Sequence, residues 1–282
     1  LRGEFGCSFP AILSTRRIEP RSDRLVTIAV LPMMSCAGRL PIYMMFVSAL
    51  FPSRLQAPVL FGIYASGVLL ALCCARLLKN TLFKAPQRDS LHHMKRLRLP
   101  SLRKVGILMW SRAFMYVRKA GTFILGASII LWFLNTYPRP EEDTAPTNAA
   151  AMEHSYAGQI GHWMEPVTQV AGFDWKINSA LVGAFAAKEI FVTQMGILYA
   201  VEDGNSGPAA QQTLNARLKA SYTPLQGISI MIFCLIALPC IGTVTVAKRE
   251  AGTWWFALAQ FGGLTLLGFA TATLIYQAGL LL

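Results

Sequence analysis

Charge is scarce in this sequence. Asp, Glu, Lys and Arg make up 14% of its 282 residues, whereas hydrophobic residues make up 54% and the mean hydropathy is +0.45. Water-soluble domains carry roughly 25% charged residues, so this composition excludes an ordinary soluble protein. We predict an all-α polytopic membrane protein with about six spans, several of them broken, and an interfacial amphipathic helix.

Acidic residues are fewer still, with 14 Asp and Glu against 26 Lys and Arg. The basic excess is concentrated rather than spread. From Arg76 to Lys119, twelve Lys and Arg residues face Asp89 alone, and residues 13–24 carry four arginines. Such clusters are typical of cytoplasmic segments beside anionic lipid, which excludes nucleic acid as the expected partner. The more acidic stretch 136–172 is expected outside.

The sequence has neither a disulfide pattern nor a signal peptide. Its six cysteines lie mostly in apolar segments, without the spacing of an extracellular disulfide framework. The chain begins at Leu1 with no charged and then apolar leader, and we expect it to be a piece of something longer.

Apolar runs long enough to cross a bilayer, about 20 residues at a rise of 1.5 Å, recur along the chain. Two of them carry charges near their centres, Arg39 in one and Lys188 with Glu189 in the other. Interrupted helices in a transporter are the sequence pointer to its binding site. The predicted spans are Leu25–Ser53, Ala57–Ala75, Ala120–Pro138, Ile177–Val201, Ala220–Ala247 and Ala251–Leu282.

Threading these six spans from the cytoplasm puts both chain ends inside, but it places residues 248–250 outside, against the positive-inside rule. A break at Pro239 would relieve that conflict. Residues 103–119 alternate apolar and basic side chains at helical spacing, which predicts the interfacial helix, lying on the membrane before the turn into the next span.

Residues 35–41 interrupt the first span with material unsuited to a lipid-facing helix. Gly38 weakens the helix, Pro41 removes a backbone donor, and Arg39 places a fixed charge near membrane depth. Irregular backbone at that depth must line protein or water, so the break predicts a transport path. The hydroxyl of Ser35 and the thiol of Cys36 beside it suit a transition-metal cation.

Each candidate residue also has a structural interpretation. Cys36 and Cys240, the latter following Pro239 in a second span, are candidate metal ligands, yet a free cysteine often packs between helices. Glu189 is a candidate cation ligand or proton acceptor, or else it pairs with Lys188 or Arg39 to fix helix packing. The sequence leaves these alternatives open.

Several motifs resemble one family across nearly the whole chain. Residues 6–12 read Gly-Cys-Ser-Phe-Pro-Ala-Ile, residues 34–43 read Met-Ser-Cys-Ala-Gly-Arg-Leu-Pro-Ile-Tyr, and residues 185–189 read Phe-Ala-Ala-Lys-Glu. Together with Pro239 and Cys240 they resemble the membrane region of the ferrous iron transport protein B (FeoB) family.

The resemblance implies a multi-pass permease for Fe²⁺ in the bacterial inner membrane, with Cys7, Cys36, Glu189 and Cys240 along the metal path. From the helix breaks themselves we expect path or gating roles for Ser35, Gly38, Arg39, Pro41, Lys188 and Pro239. Fe²⁺ would be a transported substrate rather than a tightly bound cofactor.

Family members carry an amino-terminal GTPase domain, but no G-x-x-x-x-G-K-[ST] phosphate loop occurs in this sequence. We therefore expect no enzyme activity in this chain, with GTP and Mg²⁺ bound only by a missing upstream part. That part and a first gate region are the expected partners, with the bilayer and a possible homo-oligomer. The predicted regions are 1–53, of the family's carboxy-terminal type, 54–202, which is gate-like, and 203–282, with two spans.

Two other functions are weighed against iron transport. A gate-type transporter of an organic solute such as a nucleoside would need a pocket of aromatic and amide side chains. A non-transporting scaffold subunit would need no path at all.

Overall fold

The computed structural model describes residues 7–18, 20–81, 101–138, 153–200, 208–237 and 239–281, and in these ranges the fold is all-helical. Short 3₁₀ turns interrupt or extend several helices at residues 15–17, 31–33, 37–39 and 169–171. The helices are α1 (Ser8–Ser14), α2 (Arg21–Val30), α3 (Leu40–Leu50), α4 (Ser53–Thr81), α5 (Leu102–Thr136), α6 (Tyr156–Thr168), α7 (Trp175–Ala186), α8 (Lys188–Ala200), α9 (Pro208–Ser221), α10 (Pro224–Ile236), α11 (Ile241–Ala251) and α12 (Trp254–Leu281).

Four helical segments are long and apolar enough to cross a membrane: Arg21–Leu50, Ser53–Thr81, Pro224–Ala251 and Trp254–Leu281. At 1.5 Å per residue each exceeds the roughly 30 Å thickness of a hydrocarbon core. The first and third are interrupted, as predicted, between α2 and α3 and between α10 and α11. The chain is therefore a polytopic membrane protein.

Ion pairs gather three helix ends at one end of the molecule. Lys79 at the end of α4 lies 3.2 Å from Asp23 at the start of α2. Glu250, at the end of α11, accepts hydrogen bonds from Arg16 at 2.6 and 2.9 Å, and its main-chain carbonyl accepts one from Arg24 at 3.3 Å. We call this the basic end.

Apolar contacts gather the other helix ends at what we call the opposite end. Leu50 at the end of α3 contacts Gly227 near the start of α10, and Leu225 contacts Gly279 near the end of α12. The segment Pro224–Ala251 therefore runs from the opposite end to the basic end, and α12 runs back.

This course corrects the threading predicted from sequence. Residues 248–250 lie at the basic end with the arginines of residues 13–24, not on the other side of the membrane, and Gly279 lies at the opposite end. In the described residues, the arginines of residues 13–24 and the last turns of α12 thus lie at opposite ends of the molecule, unlike in the predicted threading. The positive-inside conflict disappears because one predicted span does not cross.

That segment is Ile177–Val201, whose described residues form a re-entrant hairpin rather than a crossing. Ala187 is extended (φ −151°, ψ 132°) and reverses the chain between α7 and α8. Tyr199, near the end of α8, returns beside the start of α7, where the ammonium of Lys176 lies 4.5 Å from its ring centre. Both open ends of the hairpin are at the opposite end of the molecule, and Val201 lies outside the described residues.

Helix α5 corrects a second prediction, the turn between an interfacial helix at 103–119 and a span at Ala120–Pro138. The structure has one continuous helix over Leu102–Thr136. Within it Gly121 is the residue nearest the expected turn, and one glycine weakens a helix by only about 1 kcal/mol. With no proline in these residues, nothing stops the helix there.

The core lies where α3, α8 and α10 pack. Phe46 of α3, Phe191 and Met195 of α8 and Met231 of α10 are fully buried. By contrast, the outer faces of α4 and α12 expose large apolar side chains such as Phe61 and Leu266. Buried aromatic and aliphatic side chains hold the helix breaks together, and the exposed ones suit contact with lipid.

Candidate functional site

The first break separates the short 3₁₀ turn at residues 31–33 from the next one at residues 37–39. Met34 and Cys36 are extended there, with ψ of 137° and 160°. Arg39 is 1% exposed, and its Nη1 donates to the carbonyl of Met34 at 3.1 Å. Pro41 lies in the first turn of α3, where its missing N–H needs no helical partner. The arginine thus supports the irregular backbone that the proline and glycine create.

The second break is the tip of the hairpin. Lys188 begins α8 and is 6% exposed, and its Nζ donates to the main-chain carbonyls of Cys234 at 3.2 Å and Ala237 at 3.5 Å. Glu189 beside it is exposed. The two adjacent charged residues therefore differ in their surroundings, since the Lys188 ammonium is buried and hydrogen-bonded whereas the Glu189 side chain is exposed.

The third break lies between α10 and α11. Helix α10 ends at Ile236, and Pro239 and Cys240 follow in extended or irregular backbone before α11 begins at Ile241. The thiol of Cys240 lies 3.1 Å from the hydroxyl of Thr243. A cysteine at this position is partly exposed, unlike Cys234, which is buried in α10.

Contacts join the three breaks into one region. A Cβ placed on Gly38 of the first break would lie 2.7 Å from Oε1 of Glu189 in the second. Lys188 of the second break bonds to Cys234 and Ala237 at the third. Glycine is therefore required at position 38 for the carboxylate to approach, and the breaks predicted from sequence meet in the interior of the fold.

Two family models match the chain. The model for nucleoside recognition, named Gate, matches residues 117–254, and the model for the carboxy terminus of ferrous iron transport protein B matches residues 60–112.

Curated relatives match almost the whole chain. The Fe(2+) transporter FeoB of Campylobacter jejuni is 36% identical over 91% of this chain and 42% of its own length. The Fe(2+) transporter FeoB of Methanocaldococcus jannaschii is 35% identical over 99% of this chain and 40% of its own length. The Fe(2+) transport protein A/Fe(2+) transporter FeoB fusion protein of Porphyromonas gingivalis is 35% identical over 98% of this chain and 37% of its own length.

The chain belongs to the FeoB family. It corresponds to the membrane region of that family and spans about two fifths of the length of these curated relatives. The resemblance inferred from the sequence motifs is thereby confirmed. No solved structure gave a significant match.

Cys7 of this FeoB membrane region lies at the start of α1, away from the hairpin. Helix α1 packs along α11, with Ile12 in one apolar cluster with Val246 and with Arg16 paired to Glu250. The apolar cluster and the Arg16–Glu250 pair hold α1 and the turn after it against α11, the helix that begins directly after Cys240.

These residues do not form a closed metal cage. In the described part of this FeoB region, no group of three or more His, Cys, Asp or Glu side chains is arranged to hold a metal ion. The predicted roles of Cys7, Cys36, Glu189 and Cys240 as metal ligands therefore stay predictions.

Sequence reasoning missed two features of the site. The hydroxyl of fully buried Tyr43, one helical turn after Arg39, lies near Ser35, and these two hydroxyls and Nε of Arg39 lack hydrogen-bond partners in the described structure. The i, i+4 spacing from Arg39 was the available signal. No sequence signal could mark the carbonyls that bind Lys188, since every residue has a main-chain carbonyl.

A polar anchor fixes the open end of the hairpin. Asp174 caps α7 by accepting the N–H of Ile177 at 2.9 Å, and Tyr222 donates to the same carboxylate at 2.8 Å. The hydroxyl of Tyr199 donates in turn to Tyr222 at 2.9 Å. Burial raises the pKa of Asp174, and burial together with the charge of Asp174 raises the pKa of Tyr222.

Proposed function

We propose that this FeoB membrane region is the permease part of a Fe²⁺ uptake transporter. In this proposal ferrous iron passes Cys36, Glu189 and Cys240, one residue from each helix break, and Cys7, which precedes the helix packed against α11. The contact between the three breaks supports it, because ligands on separate breaks serve one path only if the breaks adjoin.

The ligand chemistry suits a transported ion. Fe²⁺ accepts sulfur, oxygen and nitrogen donors, and a path must bind it weakly enough for release. A thiol, an open carboxylate and a second thiol on different elements give successive weak sites. A cage of four thiolates would trap the ion instead.

We further propose that the basic end faces the cytoplasm and that α5 makes a fifth crossing beside the four apolar segments. Its end lies near the hairpin, where Asn135 accepts a hydrogen bond from Gln194 at 2.9 Å. Trp254 and Trp255 near the basic end and Trp163 toward the opposite end are exposed, as expected of aromatic residues at two membrane interfaces. The setting is the bacterial inner membrane.

In the same proposal, a GTPase domain and a first gate region outside this chain complete the transporter. The curated relatives extend well beyond the matched part, which leaves room for both. The proposal includes the division of the chain into regions 1–53, 54–202 and 203–282, and it includes a homo-oligomeric state. Alone, the chain is expected to insert in the membrane without restoring iron uptake.

Replacing Cys36 by Ser tests the path. In the full-length transporter, Cys36→Ser should strongly reduce uptake of radiolabelled Fe²⁺ while leaving membrane insertion unchanged, because the side chains are nearly equal in size. Cys73→Ser is the matched control, since Cys73 is exposed on α4 and away from the breaks. Normal uptake by the Cys36 variant would show that this thiol serves only in helix packing.

Nucleoside transport is the second candidate, because the matching Gate model is described as nucleoside recognition. Uptake of radiolabelled iron and of a radiolabelled nucleoside by the same proteoliposomes separates the two. Nucleoside uptake that iron does not alter would overturn the iron proposal.

A further inference from the structure

The ammonium of Lys188 lies in a small site made of main-chain oxygens. The carbonyls of Cys234 and Ala237 accept its hydrogen bonds at 3.2 and 3.5 Å. Cys234 provides one of the last four carbonyls of α10, a group that a helix leaves without regular donors and that carries partial negative charge. The carbonyl oxygens at this helix end, which bind the Lys188 ammonium, can therefore bind another cation as well.

We propose that the carbonyls of Cys234 and Ala237 form a cation-binding site, occupied at rest by the Lys188 ammonium and in transit by the divalent metal ion that displaces it. The inference rests on the proposed transport function and adds a site of backbone oxygens to its thiol and carboxylate ligands. Lys188 acts in it as a tethered cation that keeps the path closed.

Charge in the surroundings supports this assignment. Among the described residues no carboxylate lies within salt-bridge distance of Lys188, and the second buried cation, Arg39, lies close enough to repel it. The carbonyls are therefore the main hold on the ammonium. An arrangement of this kind favours exchange over permanent pairing, since a buried carboxylate would bind the lysine far more strongly.

The position of the site supports it as well. Cys240 lies close enough to Lys188 for an electrostatic interaction, so an ion that replaces the ammonium on these carbonyls lies near a thiol of the proposed path. Lys188 and Glu189 are adjacent at the hairpin tip, and Glu189 approaches Gly38 of the first break. One movement of the tip would therefore vacate the carbonyl site and shift the carboxylate together.

The test measures metal entry without nucleotide. The full-length protein is placed in liposomes that contain a dye quenched by Fe²⁺ or Mn²⁺. Lys188→Ala and Lys188→Gln should admit metal roughly tenfold faster than the wild type, because a charge-assisted hydrogen bond contributes at least that factor to an equilibrium. Lys188→Arg, which keeps the charge and the donors, should stay closed, as should the control Lys176→Ala at the opposite end.

Added amines give a second measurement. Methylammonium should slow the leak through Lys188→Ala by reoccupying the carbonyls, whereas tetramethylammonium, which has no N–H donor, should not. If the alanine variant does not insert, the glutamine variant decides, since it keeps most of the side-chain length and an uncharged NH2 group.

The outcomes separate the site from the transport function. The carbonyl site alone is overturned if the wild type takes up iron with nucleotide and the Ala and Gln variants admit metal without nucleotide no faster than the Arg variant. A wild type that takes up no iron under any condition would overturn the proposed function and this inference with it.

Discussion

Gly38 is the residue whose size the site depends on most directly. A methyl group there would lie 2.7 Å from Oε1 of Glu189, so the carboxylate would have to move away from the first break. The end of a glutamate side chain can rotate at little cost, and the fold should therefore survive while the carboxylate loses its place beside the first break.

Gly38→Ala should accordingly lower Fe²⁺ uptake by the full-length transporter with little change in expression or melting temperature. Gly62→Ala in α4 is the matched control, because no atom lies within 4 Å of a Cβ built there. Equal uptake by the two variants would show that the close approach of Glu189 has no part in transport.

The carboxyl group of Asp174 gives a pH dependence to the hairpin anchor. Burial raises its pKa above the ordinary value of 3.8, so the ionised form weakens the folded state. This cost is fully present above the raised pKa and falls away as the pH drops toward the ordinary value.

The wild type should therefore gain stability relative to Asp174→Asn as the pH falls from neutrality toward the ordinary pKa of 3.8. The measurement is the difference in melting temperature between the two proteins in detergent at each pH. Taking the difference removes the contribution of groups common to both. A difference that is independent of pH would contradict the raised pKa.

Helix α1 and helix α11 are joined by Arg16 and Glu250. The Glu250 side chain is 5% exposed, whereas that of Arg16 is 53% exposed, and two nitrogens of the Arg16 guanidinium donate to the carboxylate. Removing the arginine leaves a largely buried carboxylate with only weaker cationic neighbours.

Arg16→Ala should thus lower the melting temperature and free α1 from α11, which can be followed by the protection of α1 amides against hydrogen exchange. Arg249→Ala, an exposed neighbour on α11, should have little effect on either. Similar results for both variants would show that α1 is held by its apolar face alone.

Helix breaks were predictable because local chemistry marks them. Arg39 and Pro41 mark the first, Lys188 the second and Pro239 the third, and all three exist in the structure. What lies across from each break was not predictable, since the approach of Glu189 to Gly38 depends on residues more than a hundred positions apart.

At the scale of the whole molecule, the fold depends on whether residues 177–201 cross or return. Their length and hydropathy permit both. The return is decided by the contacts of Tyr199 with Lys176 and Tyr222, which no local pattern shows. Sequence therefore identified the membrane class and most helices, and it failed on the fold of residues 177–200, which return instead of continuing to the basic end.

Cysteine labelling distinguishes the two topologies. In intact cells a membrane-impermeant maleimide should label Ser221→Cys at the opposite end and should label Arg249→Cys at the basic end only after permeabilisation. Both positions are exposed. The six-crossing arrangement gives the reverse pattern, so labelling of Arg249→Cys alone in intact cells would refute the hairpin.

A re-entrant hairpin also has a mechanical consequence. A helix that crosses the bilayer cannot shift along its axis without moving a connection on each surface. The hairpin of α7 and α8 leaves the interior on one side only, so its tip can rise or sink while the other surface stays still. The lysine at the centre of the fold can therefore be moved by forces applied from a single compartment, the one opposite the basic end.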